Sequence, residues 1–160
     1  MNNSKIIEAR KQIDKENTIM SKTSKAWIYE SKYRGYPIMI RRQKQYGYLC
    51  GYIKTKVLED SDEYHIMDNH FHGGITFHKN EWIGFDCMHS NDFSPFQYDE
   101  LSFYEEISLD GRDEVERSMI KDLQAYFRDS LKGLEDKSYR TLEEVKQCLE
   151  STIDALIDKK

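Results

Sequence analysis

The chain has 160 residues, 38% hydrophobic, 33% charged and 12% aromatic, which fits one folded domain and excludes a disordered chain, because disordered chains are poor in aromatics. No apolar run approaches the roughly 18 residues that cross a membrane, so no membrane partner is expected. The net charge of −5 divides unevenly: residues 1–56 hold 13 Lys/Arg against 4 Asp/Glu, and residues 57–160 hold 11 against 25. Such halves either pair with each other or leave a basic surface for phosphate.

Met1-Asn-Asn-Ser-Lys-Ile-Ile-Glu lacks the apolar core and cleavage site of a signal peptide. The three cysteines, Cys50, Cys87 and Cys148, are odd in number and widely spaced. They point to reduced thiols and a cytoplasmic setting.

In chain order, residues 1–25 read as a polar N-terminal arm whose short stripe of Ile6, Ala9 and Ile13 predicts a frayed or weakly docked helix. Residues 26–160 read as a single α+β domain, with Trp27 marking its start. Pro37–Arg41 predicts one strand and Gln45–Lys54 a second. Along the second, Tyr46, Tyr48, Cys50 and Tyr52 alternate onto one face and Leu49, Gly51 and Ile53 onto the other. Residues 57–69 are acidic and turn-like. A hairpin follows, with strands 74–77 and 82–87 around a turn at 78–81, and then a loop at 90–98. An acidic helical insert covers about 99–137. Its helix, roughly 112–131, carries Val115, Met119, Ile120, Leu123, Phe127 and Leu131 at helical spacing, with Gly133 as C-terminal cap. A last helix begins at Thr141, where Glu144 completes a capping box.

The hairpin concentrates the chemistry. All five histidines fall between positions 65 and 89. A turn centred on Lys79-Asn80 sets His72 opposite Cys87 and His70 opposite His89, with opposed side chains about 5 Å apart at Cβ. On that register His70, His72, Cys87 and His89 share a face, a donor set that suits zinc. A bulge at Gly73-Gly74 would flip the faces and bring Asp86 to His72 instead. Two further readings use the same residues. Cys87 with His72 as base is a nucleophile pair. Gly73 and Gly74 offer amides to an anion, beside His72, Asp86, His89 and Asp92. The plainer alternatives are a buried apolar Cys87, a His72 that caps the glycine turn, and Asp86 and Asp92 bonding loop amides.

Elsewhere, Tyr46, Tyr48 and Tyr52 lie among Arg41, Arg42, Lys44, Lys54 and Lys56, a mixture that stacks bases and holds phosphates or simply forms a half-buried sheet face.

Cys50-Gly-Tyr52, His72-Gly-Gly-Ile-Thr-Phe77, Trp82-Ile-Gly-Phe-Asp-Cys-Met-His89 with Asp92 and Pro95, and Tyr139-Arg-Thr-Leu142 together resemble a family of small bacteriophage and prophage proteins. The family pattern reads C-G-Y, H-G-G-[LI]-T-[YF], W-I-G-F-D-C-x-H-x-x-D-x-x-P and a closing Y-R-T-L helix. The resemblance covers roughly 45–95 and 138–157. It implies a phage-type setting in the host cytosol and a site near His72, Asp86, Cys87 and His89, without a known activity. The basic arm and the acidic insert depart from the pattern.

The expected fold is α+β, an antiparallel sheet of four to five strands with helices packed on one side. The expected function is that of a phage-type accessory protein that counters host defence by binding a host protein or a small phosphorylated ligand. The alternatives are a small metal-dependent hydrolase built on the His72/Asp86/Cys87/His89 cluster, with zinc as cofactor, and a nucleic-acid binder using the basic tyrosine-bearing strands. The overall acidity counts against the last.

Overall fold

The computed structural model describes residues 3–134 and 136–159. An α-helix, α1 (Asn3–Asn17), precedes β1 (Ser21–Lys22), β2 (Ala26–Tyr33), β3 (Tyr36–Gln43) and β4 (Leu49–Lys54). Then come α2 (Asp62–His70), β5 (Phe77–Lys79), β6 (Trp82–Asp86), α3 (Pro95–Ser102), a short 3-10 turn, α4 (Glu114–Leu134) and α5 (Leu142–Asp158). The α+β expectation holds. The sheet has six strands rather than the expected four to five, since β1 and β2 add to its edge, in the order β1-β2-β3-β4-β6-β5, and every pairing is antiparallel. Among the described residues no helix is long and apolar enough to cross a membrane.

The core forms where α5 lies on one face of the sheet. Tyr29, Ile40, Gly51 and Phe85 are successive partners across four strands, and Ile38, Ile53 and Ile83 form a parallel row on the same face. Against them α5 buries Leu142, Val145, Leu149, Ile153 and Leu156, whose spacing of three and four makes one stripe. Each such side chain contributes roughly 1.5–3 kcal/mol on burial, so this contact dominates the fold. Gly51 permits it. A Cβ there would stand 2.9 Å from Val145 Cγ1 and 3.0 Å from the Phe85 ring, so one of these side chains would have to shift. The helix starts where the sequence places it, with the full Thr141–Glu144 capping box.

Four expectations need correction. Residues 57–69 contain a helix, α2, because Ser61 accepts a bond from Tyr64 N and Asp62 and Glu63 occupy the first turn. Only Met67 of that helix is buried, so it has no apolar stripe to read. Residues 95–98, read as loop, begin α3. Gly133 lies within α4 rather than capping it, and of the expected α4 stripe only Ile120 and Phe127 are buried. The Leu131 side chain lies outside the described residues.

The fourth correction concerns the N-terminal arm. It is docked, with Ile6, Ala9 and Ile13 buried. Its anchor is polar. Glu16, 3% exposed, accepts from Arg42 Nη2 at 2.6 Å, from the Tyr139 hydroxyl at 2.5 Å and from Leu142 N at 2.7 Å. Arg42, 1% exposed, also donates to Gly47 O at 3.1 Å and to Asn17 Oδ1 at 3.2 Å. One carboxylate thus ties α1, β3 and α5 together, and a composition dominated by Lys and Asn conceals it. Truncating one partner of a buried pair leaves the other charge uncompensated. Glu16→Ala is expected to lower unfolding free energy by about 3–5 kcal/mol in urea titrations. A loss under about 1 kcal/mol would refute this anchoring role.

Candidate functional site

The β5–β6 hairpin forms, but not in the expected register. Its two-residue turn is Asn80-Glu81, both in the left-handed region at φ 56° and 66°, which matches the turn that strand twist favours. Phe77 therefore faces Gly84 and Lys79 faces Trp82, two residues from the expected pairing. Pairing also ends early. Gly73 and Gly74 adopt φ values of 74° and 87° and turn the chain away, while Asp68 Oδ1 accepts from Ile75 N at 2.8 Å. His72 stands in this loop, His70 ends α2, and β6 pairs on its other edge with β4, so Cys50 faces Asp86. The cross-strand pairs His72–Cys87 and His70–His89 are not formed.

The histidines nevertheless converge, on Asp92. The turn after β6 closes with Asp92 N donating to His89 O at 2.9 Å. Phe93 N then donates to Ser138 O and Ser138 N to Asn91 O, both at 2.9 Å, which brings the start of α5 alongside. Asp92 is 2% exposed. It accepts from His72 Nε2 at 2.9 Å to both oxygens, from His89 Nδ1 at 3.1 Å, from His89 N at 3.0 Å and from Arg140 Nε at 3.2 Å. Burial alone pushes its carboxyl up. The bonds from His72, the His89 amide and Arg140 outweigh that and hold it below the usual carboxylate range. An ionised carboxylate only accepts, so the His72 proton sits on Nε2 and the His89 proton on Nδ1.

The other candidates sort around this centre. The His89 ring rests on Gly73: a Cβ there would lie 2.2 Å from Nε2. Asp86 Oδ1 accepts from Met88 N at 3.0 Å and stands 3.7 Å from His89 Nε2. Asp86, rather than Cys87, therefore approaches a histidine. The amide of Gly74 donates to Phe71 O at 3.0 Å and is not offered to an anion. His70 Nδ1 donates to Ile66 O at 2.9 Å on its own helix. Cys87 is 2% exposed, and burial pushes its thiol up, away from the thiolate that a nucleophile or a zinc ligand supplies. The set gathered by the fold is thus His72, His89 and Asp92, with donor atoms within 4.8 Å of one another, and not His70, His72, Cys87 and His89. The tyrosine stripe is broken as well. Tyr46 and Tyr48 precede β4, and the Tyr48 hydroxyl donates to Gln97 Oε1 at 2.9 Å.

Beside the Asp92 centre lies a cleft of about 430 Å³. Phe85, Cys87 and Val145 supply its apolar lining, and His70, His72, Arg140, Glu144, Gln147 and Cys148 its polar groups. Its size and mixture match small-molecule sites. Arg140 lines this cleft and bonds Asp92, and it is not among the candidate residues that the sequence offers. In the sequence it stands within Tyr139-Arg-Thr-Leu142, directly before the capping Thr141.

Gly73 carries both a left-handed backbone and the seat of the His89 ring. Gly73→Ala is expected to cost about 1–3 kcal/mol and to shift the His89 ring resonances in NMR spectra. An unchanged stability with unmoved His89 signals would contradict the close packing.

No protein-family model, characterised protein or solved structure matches this chain.

Proposed function

We propose that this chain is a phage-type accessory protein that acts by binding a small phosphorylated ligand in the cleft beside Asp92. The observation that carries the reading is Arg140. Its Nε is held by Asp92 and its Nη1 stands 3.4 Å from Glu144 Oε2, which fixes the guanidinium plane at the cleft and leaves Nη2 for a ligand oxygen. Arginine offers phosphate a planar, permanently charged fork. His72 lines the same wall, and Phe85 and Val145 supply apolar contact for a base or another ring. Both imidazoles reside in the H-G-G and D-C-x-H segments that carry the resemblance to phage proteins, and this supports the setting of host-defence counteraction.

Nucleotides and sugar phosphates are expected to raise the melting temperature by linkage. A bond to a charged group is worth about 1.5–3 kcal/mol, so Arg140→Ala is expected to weaken binding by roughly ten- to a hundredfold in calorimetry. Arg140→Lys is expected to restore only part of it. If no phosphorylated compound binds the wild-type chain at millimolar concentration, the reading fails.

A second reading, binding of a host protein, has its own observation. On α4, Val115, Met119 and Tyr126 are 70%, 62% and 62% exposed, and Leu123 is 39% exposed on the same side of the helix. Contiguous exposed apolar surface of this kind marks contact sites. Met119→Glu with Tyr126→Glu is expected to abolish capture of a host protein without lowering the melting temperature. Retained capture would remove α4 from the interaction.

A further inference from the structure

We propose that His72 Nε2, His89 Nδ1 and Asp92 Oδ2 form a binding site for one divalent first-row transition-metal ion. The argument is geometric and independent of any phosphorylated ligand. Zinc bonds to imidazole nitrogen and carboxylate oxygen measure about 2.0–2.2 Å, so donors of one tetrahedral ion lie roughly 3–3.5 Å apart. His72 Nε2 and His89 Nδ1 already stand 2.9 Å and 3.1 Å from Asp92 Oδ2, and all three donors fall within 4.8 Å of one another. Replacing the two N–H protons by one ion therefore needs only a small opening of the cluster. The imidazoles meet edge to face, with centroids 5.0 Å apart and planes at 83°, so neither ring blocks the nitrogen of the other.

The supporting shell is in place. Oδ1 of Asp92 is held by Arg140 Nε and Oδ2 by His89 N, which fixes the carboxylate. The second nitrogen of His89 stands 3.7 Å from Asp86 Oδ1, near the position where a carboxylate orients a metal-bound imidazole. Gly73 supports the same ring from beneath. The donors are two nitrogens and one oxygen with no thiolate, which suits zinc, iron(II) or cobalt(II) rather than copper(I). Three protein ligands leave a coordination position open, as in catalytic rather than structural sites. The positive charge of Arg140 opposes the ion, so moderate affinity is expected, together with a preference for anions at the open position.

The test uses the full chain, stripped with chelator and titrated with zinc or cobalt(II) alone. One ion per chain at micromolar concentration is expected by calorimetry, with visible cobalt absorption reporting nitrogen and oxygen ligands. His89→Ala is expected to weaken binding at least tenfold while circular dichroism stays unchanged. His70→Ala and Cys87→Ala are expected to bind as the wild type does. Absence of stoichiometric metal overturns the proposal. Wild-type affinity in a folded His89→Ala chain, or loss of binding in a folded His70→Ala or Cys87→Ala chain, overturns it equally, because the ion would then sit elsewhere.

Discussion

The buried Asp92 carboxylate organises the functional end of the molecule. It receives donors from His72 in the loop after α2, from His89 in the turn after β6 and from Arg140 two residues before α5, at 20, 3 and 48 positions from it in the chain. None of these segments is held there by regular secondary structure alone. His72 stands between two glycines and a helix end, and His89 lies beyond the last sheet bond of β6. A charge at 2% exposure is tolerated only because its acceptor positions are filled. Losing any one donor therefore disturbs the placement of the others.

Glu16 plays the corresponding part at the other side of the α5 N-terminus. It reaches Arg42, Tyr139 and Leu142 N, so residues 139–142 lie between two buried carboxylates, Glu16 and Asp92. Tyr139 turns toward Glu16 and Arg140 toward Asp92. Adjacent residues thus serve opposite hubs, which links docking of α1 to the shape of the cleft. Much of the division between a basic first third and an acidic remainder is solvent-exposed, but its buried instance, Arg42 with Glu16, joins two residues of the same basic segment.

The parts of the fold that are legible in the sequence rest on local periodicity. The α5 stripe, its Thr141–Glu144 cap, the alternation of Leu49, Gly51 and Ile53, and the existence of the β5–β6 hairpin all follow from spacings within one element. What failed lacked such a signal. Helix α2 buries one residue, β1 has two residues, and α1 is anchored by a carboxylate rather than by a broad apolar face.

For the site, the residue types and the neighbourhood were legible: His72, His89, Asp86 and Asp92 do lie around one centre. The partners were not. The left-handed pair Asn80-Glu81 moved the turn by one residue and the register by two, and Gly73-Gly74 ended the pairing before His72. The sequence by itself determined that imidazoles and carboxylates would gather at the open end of this hairpin, because glycines and turns stop a strand there. Only the tertiary structure decided that Asp92 would be their common acceptor and that Arg140 would join them. That outcome depends on Ser138 pairing with the 91–93 turn, a contact between segments some 46 residues apart that no local spacing encodes.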